Sequence, residues 1–214
     1  MDNLQRTEKW FEQRRGRFTA SEIHKLLGVK GLGETGLSLC RKKAQEIVFG
    51  RDEEWDVLTY DMQRGVSQEP IAFELFKSEK ELDFIEVKKC GFYKVGENSG
   101  ASPDGLVGTD GVLEIKCPKP EKFFLLVEKE IEAIDQEYID QMQLQMYGTR
   151  RKKCYFVNYL NFNGEHLTHE IIVPRDKSRI DLILERIELA VIERDKIIKT
   201  LIENCQFKHL LKPN

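Results

Sequence analysis

The strongest constraint on this chain is an alternation that it cannot satisfy as a helix. In Val112-Leu113-Glu114-Ile115-Lys116, apolar and charged side chains follow one another with a period of two. As a strand, this run sends Glu114 and Lys116 to one face and Leu113 and Ile115 to the other. Upstream, Ser102-Pro103-Asp104-Gly105-Leu106 is joined to it by Gly108-Thr109-Asp110-Gly111, a composition that reads as a tight hairpin turn. Folding back there returns Asp104 to the neighbourhood of Glu114 and Lys116, so that two carboxylates and an amine meet.

Converging carboxylates form an oxygen-rich site suited to a hard cation such as Mg²⁺ or Mn²⁺. Such an ion polarises a phosphoryl oxygen and acidifies water, and a neighbouring ammonium can orient that water or stabilise developing negative charge. Phosphodiester hydrolysis suits these parts. An ordinary hairpin with a polar face and a Glu–Lys pair carries the same pattern, so the surrounding chain has to decide between them.

A length of 214 residues suits one sizeable domain spanning 1–214. No apolar run is long enough to cross a membrane, and Met1-Asp2-Asn3-Leu4-Gln5 lacks the layout of a signal peptide, so an intracellular protein is expected. The five cysteines are scattered without a C-x-x-C pair, which points to reduced thiols and to no iron–sulfur cluster or zinc site. His166 and His169, three apart in a strand-like segment, fall on opposite faces and are expected at the surface. Net charge is −3, yet basic residues cluster at Arg14-Arg15-Gly16-Arg17, Arg41-Lys42-Lys43, Lys88-Lys89 and Arg150-Arg151-Lys152-Lys153. Local positive patches on an acidic protein fit an enzyme that holds nucleic-acid phosphates and still moves along them; solvated corners are the alternative for each.

Residues 4–15 read as a short helix with Trp10 and Phe11. Thr19-Ala20-Ser21-Glu22 reads as a capping box opening a helix that ends at Gly28, and its N–H groups, hydroxyls and neighbouring arginines suggest an anion pocket. Gly31 to Gly36 lacks a P-loop ending and is expected to be a flexible connection before a helix over 37–49. A helix from Tyr60 to about Ser78 contains Pro70 and is expected to kink or restart near Glu69. Phe84 to Val95 is strand-like, with Gly91 a possible bulge. Helices are predicted over Glu121–Glu132 and Glu137–Tyr147, and in the second Tyr138, Gln141, Met142 and Gln145 share a face, with Gln143 to the side. Lys153–Tyr159 and His166–Val173 form a hairpin around Asn161-Phe162-Asn163-Gly164, and Ser178–Leu201 is an amphipathic helix suited to cover the sheet or a second subunit.

Taken in order, several of these pieces resemble the lambda-exonuclease/YqaJ-type viral recombinase nucleases, a branch of the PD-(D/E)xK superfamily. They are Trp10 with Arg14 to Glu22, Arg64-Gly65 leading to Glu69-Pro70, Ser102-Pro103-Asp104-Gly105, Leu113-Glu114-Ile115-Lys116-Cys117-Pro118, and Tyr138 with Gln141, Gln143 and Gln145. The resemblance implies an α/β (α+β) fold, a mixed central β-sheet flanked by helices. It implies metal binding by Asp104, Glu114 and the Ile115 carbonyl, assisted by Glu69, with Mg²⁺ or Mn²⁺ as the ion. Lys116 would activate or orient water, helped by Gln141. Arg14, Thr19 or Ser21, Ser102 and Lys122 would hold a 5′-phosphate. The implied activity is digestion of one strand of linear double-stranded DNA from its 5′ end, leaving a 3′ overhang for an annealing protein, and some relatives form trimeric rings. The same chemistry in an endonuclease, and the same fold in a catalytically silent DNA-binding protein, are the alternatives.

Overall fold

A computed structural model describes residues 5–50 and 59–205, excepting the side chains of residues 60–62. A five-stranded sheet of order β2-β5-β6-β7-β8 is built from Val87–Lys89, Gly105–Val107, Gly111–Lys116, Lys153–Phe162 and Glu165–Pro174. Within this sheet β6 and β7 run parallel and the other pairs are antiparallel. A three-stranded sheet of order β1-β4-β3 is made by Phe18–Thr19, Ser99–Ala101 and Tyr93–Val95.

The period-two reading of β6 accounts for both layers around the larger sheet. Leu113 and Ile115, with Tyr155 and Val157 of β7, pack on Phe73 and Phe76 of α3 (Tyr60–Leu82). Val112 and Phe156 emerge on the opposite face and meet Leu126 of α4 (Pro120–Lys129) and Met142 and Met146 of α5 (Gln136–Gly148). Glu114 and Lys116 share that second face, so the helix covering them is α5. A third cluster joins Phe18, Ile23, Leu39, Leu144, Ile183 and Ile187, holding α2 (Gly33–Phe49) and α6 (Lys177–Asn204) to the smaller sheet.

The β5–β6 hairpin forms as expected: Val107 pairs with Gly111, and Gly108 enters the left-handed region at φ 51°. Arg151 donates to the carbonyls of Val107, Gly108 and Gly111, so this member of a basic cluster fastens the turn. The β7–β8 hairpin closes through Asn163 and Gly164 at φ 53° and 87°, the conformation that an Asn-Gly turn favours.

Several local expectations are corrected. Leu4 lies outside the described residues, and α1 covers Glu8–Arg14. Thr19 precedes a 3-10 helix over Ala20–Leu26 and gives no side-chain cap, because its hydroxyl donates to the Glu22 carboxylate instead (2.9 Å). The glycine-rich stretch is not all loop: α2 starts at Gly33. α3 passes Pro70 without restarting and continues to Leu82, its packing on the sheet outweighing one missing backbone donor. Phe84 to Val95 divides into β2 and β3, and Gly91 lies in the passage between the two sheets, not at a bulge. α4 stops at Lys129, followed by a 3-10 turn over Glu130–Ala133. His166 is exposed as expected, whereas His169 is partly buried, with Nε2 3.3 Å from Glu130.

α6 reaches the start of the chain through Arg194, which is 5 % exposed. Its guanidinium donates to the Gly16 carbonyl (3.1 Å) and the Asn98 side chain (3.0 Å) and pairs with Asp195. Arg194→Ala leaves buried acceptors unpaired; it is expected to lower unfolding free energy by about 2–4 kcal/mol, read from the urea midpoint.

Candidate active site

At the end of β6 the charged pair closes on itself: Lys116 Nζ lies 2.6 Å from Glu114 Oε1. Glu114 is 2 % exposed, and a buried carboxylate needs donors. α5 supplies them from successive turns of one face. Gln141 donates to Oε1 and Gln145 to Oε2, each at 2.6 Å. One turn earlier, the Tyr138 ring lies 4.6 Å from Lys116 Nζ, a cation–π contact. The glutamines therefore hold the carboxylate directly. Gln143 leaves the site and clamps Pro174 and Asp176 instead.

The hairpin brings Asp104 alongside, where its carboxylate accepts from the Ile115 N–H at 2.7 Å. Loss of hydration and repulsion from Glu114 and Glu69 raise the Asp104 pKa well above the usual carboxylate range. Glu69 is raised as well, by burial first and then by Glu114, against the pull of Arg6, whose guanidinium it pairs with at 3.0 Å. Lys116 shifts the other way for a cation: burial lowers its pKa, but Glu114 and Asp104 outweigh burial and raise it. Its Nζ is thus a protonated donor at neutral pH.

Asp104, Glu114 and Glu69 fit a hard divalent cation by their chemistry: carboxylates close enough to oppose one another's ionisation gain from a shared positive charge. Among the described residues no three His, Cys, Asp or Glu side chains converge in a ligating arrangement. Glu69 is turned to Arg6, and both oxygens of Glu114 are engaged by Lys116 and the glutamines.

A cavity of about 1000 Å³ is bordered by Lys116, Glu69, Tyr138 and Ile115 and also by Arg14, Ser21 and Trp10, while Asp104 and Glu114 lie behind its lining. Arg14 stacks on the Trp10 ring (4.3 Å) and donates to Thr19 Oγ1 (3.1 Å) and Ser21 Oγ (3.2 Å). Behind Arg14, Thr19 donates to Glu22, which pairs with the buried Lys43 at 3.0 Å, and Lys43 pairs with Glu46 at 2.9 Å. Burial alone would raise the Glu22 pKa, but Lys43 and Thr19 bring it below the usual value.

The sequence-derived anion pocket is therefore divided. Ser21 is exposed beside Arg14, whereas Thr19 is 1 % exposed and orients Arg14 from behind. Ser102 accepts from Trp10 Nε1 at 2.9 Å, and Lys122 is held by the Ala133 carbonyl and Asp135 at 2.9 and 2.7 Å. Sequence reasoning missed the Lys43–Glu46 pair, Arg6 and Asn158. The first lies in the helix over 37–49, where Lys43 reads only as one of a basic cluster, and no short spacing links the others to the site.

A YqaJ-like viral recombinase domain model matches residues 9–152. Among solved structures, the alkaline exonuclease LHK-Exo from Laribacter hongkongensis is 29% identical, covers 92% of this chain and 97% of its own, and superposes with a TM-score of 0.78. The same values hold for LHK-Exo in complex with dAMP. A phage-related exonuclease from Haemophilus somnus 129PT shares the fold at 20% identity, with coverage of 86% and 96% and a TM-score of 0.68. No curated protein matches the chain significantly.

The raised Asp104 pKa predicts a pH-dependent stability effect. The folded state favours the protonated carboxyl, so ionisation destabilises the fold as pH rises through that raised value, and the penalty is absent below the ordinary Asp pKa. Asp104→Asn is expected to raise the melting temperature at pH 8 by about 3 °C or more, and the gain should vanish near pH 3.5, as measured by scanning calorimetry.

Proposed function

Because this chain belongs to the YqaJ-like viral recombinase domain family, we propose that, a nuclease by family, it is a metal-dependent exonuclease that digests one strand of linear double-stranded DNA from a 5′-phosphorylated end. The observation that carries this reading is the continuity of the cavity. One space is bordered by Lys116 and Glu69 and, separately, by an aromatic-stacked arginine beside the exposed Ser21 hydroxyl. A phosphodiester to be cut and a terminal phosphate to be held can occupy it together.

In this reading Asp104, Glu114 and the Ile115 carbonyl hold a divalent cation, Mg²⁺ or Mn²⁺, with Glu69 as an assisting carboxylate. When bound, that ion neutralises the carboxylates and polarises a phosphoryl oxygen. Lys116, at the end of β6 beside Glu114, orients the attacking water or stabilises charge developing on the phosphate. Gln141 and Gln145 fix the Glu114 carboxylate without adding charge. Arg14 and Ser21 bind the terminal phosphate, Arg14 pre-oriented by Trp10 and Thr19 so that little side-chain freedom is lost on binding. Lys122 assists at the rim, and Ser102 contributes through its hydrogen bond from the Trp10 indole. Release of a 3′-ended strand to an annealing protein and assembly into a ring belong to the same reading; light scattering measures the assembly.

The test compares linear duplexes carrying a 5′-phosphate or a 5′-hydroxyl with a closed circular plasmid, in Mg²⁺. Rapid release of mononucleotides from the phosphorylated ends and an intact circle are expected, whereas a nicked or linearised circle would make the protein an endonuclease. Lys116→Ala should lower the cleavage rate by roughly 10²–10⁴-fold while DNA binding persists in gel shift; undiminished cleavage would remove Lys116 from the mechanism. Arg14→Ala should abolish most of the preference for phosphorylated ends.

A further inference from the structure

Beside Lys116 lies a polar side chain that none of the preceding roles uses. Asn158 is the direct partner of Lys116 across the parallel β6–β7 pair, so the two side chains stand on one face of the sheet. It is 0 % exposed and borders the same cavity. Neither its Oδ1 nor its Nδ2 has a hydrogen-bond partner among the described residues. A buried carboxamide with both functions unused is rare in a native fold and points to a partner that arrives in another state.

Glu114 identifies that state. Its two oxygens already take hydrogen bonds from Gln141 and Gln145 and the close contact of Lys116. A cation approaching Oε1 meets the Lys116 ammonium there. Oε2 accepts from Gln145 alone, but a cation that takes Oε1 displaces Lys116, and an ammonium leaving a buried carboxylate needs another acceptor. Asn158 Oδ1 is neutral, unpaired and on the adjoining strand.

We propose that Asn158 is a positioning residue that receives Lys116 when Glu114 takes up a divalent cation, moving the ammonium from the carboxylate towards the substrate. This inference rests on the metal-dependent nuclease reading. The neutral amide matters: a carboxylate at this position would clamp Lys116 as Glu114 does and compete for the cation.

The test is a double-mutant cycle on Mn²⁺ binding to the DNA-free protein, measured by isothermal titration calorimetry. Asn158→Leu is expected to weaken Mn²⁺ binding by about tenfold, the scale of one hydrogen bond to a charged group. In a Lys116→Met background, where no ammonium needs rehousing, the same change should have almost no effect. Equal loss in both backgrounds, or none in either, overturns the proposal. If Asn158→Leu does not fold, the Mn²⁺-bound crystal structure of the wild type decides: Lys116 Nζ within hydrogen-bonding distance of Asn158 supports it, and Lys116 still on Glu114 overturns it. Wild-type protein that binds Mn²⁺ and cleaves DNA but shows no coupling loses this inference alone. Wild-type protein that neither binds Mn²⁺ nor cleaves overturns the nuclease reading as well.

Discussion

A carboxylate buried at the end of β6 governs the middle of this molecule. Glu114 is removed from water, and a charge in that position is tolerable only with full hydrogen bonding and a counter-charge. Lys116 provides the charge from two residues along the strand, and Gln141 and Gln145 provide donors from two turns of α5. The same helix turns Met142 and Met146 towards Val112 and Phe156, so the packing that fixes α5 on the sheet also sets the distance of its amides from Glu114. Core and chemistry are thereby joined in one helix.

A second buried chain of charges supports the other end of the cavity. Arg194 of α6 holds Gly16, whose N–H donates to Glu46; Glu46 pairs with Lys43, Lys43 with Glu22, and Glu22 accepts from the Thr19 hydroxyl behind Arg14. Within this chain the carboxylates of Glu22 and Glu46 are balanced by Lys43 and Arg14. In the proposed reading, attraction of an anion here depends on the arrangement of a few side chains and is compatible with a protein whose net charge is −3.

The parts closest to the chemistry were legible because their signals are local. The alternation through Glu114 and Lys116, the hairpin returning Asp104, and the helical spacing of Tyr138, Gln141 and Gln145 each follow from the geometry of a single element or turn. Element ends were less legible. Phe84–Val95 reads as one strand, but its two halves join different sheets, and Pro70 reads as a break in a helix that tertiary packing carries through. The capping box at Thr19 failed because Lys43, distant in sequence, draws Glu22 into an ion pair and Thr19 follows it.

The sequence by itself therefore determined which residues share a face and which carry charge, since those depend on backbone periods of two and about 3.6 residues per turn. It determined the strand that carries Glu114 and Lys116, the helix face that carries the amides, and the family resemblance. Tertiary structure alone decided what each polar group is bonded to: Glu69 to Arg6, Thr19 to Glu22, Lys43 between two carboxylates, and Asn158 opposite Lys116 with no partner among the described residues. The reason is range. Hydrogen bonds and ion pairs act over a few ångströms, and only the folded chain brings residues from distant elements to that separation.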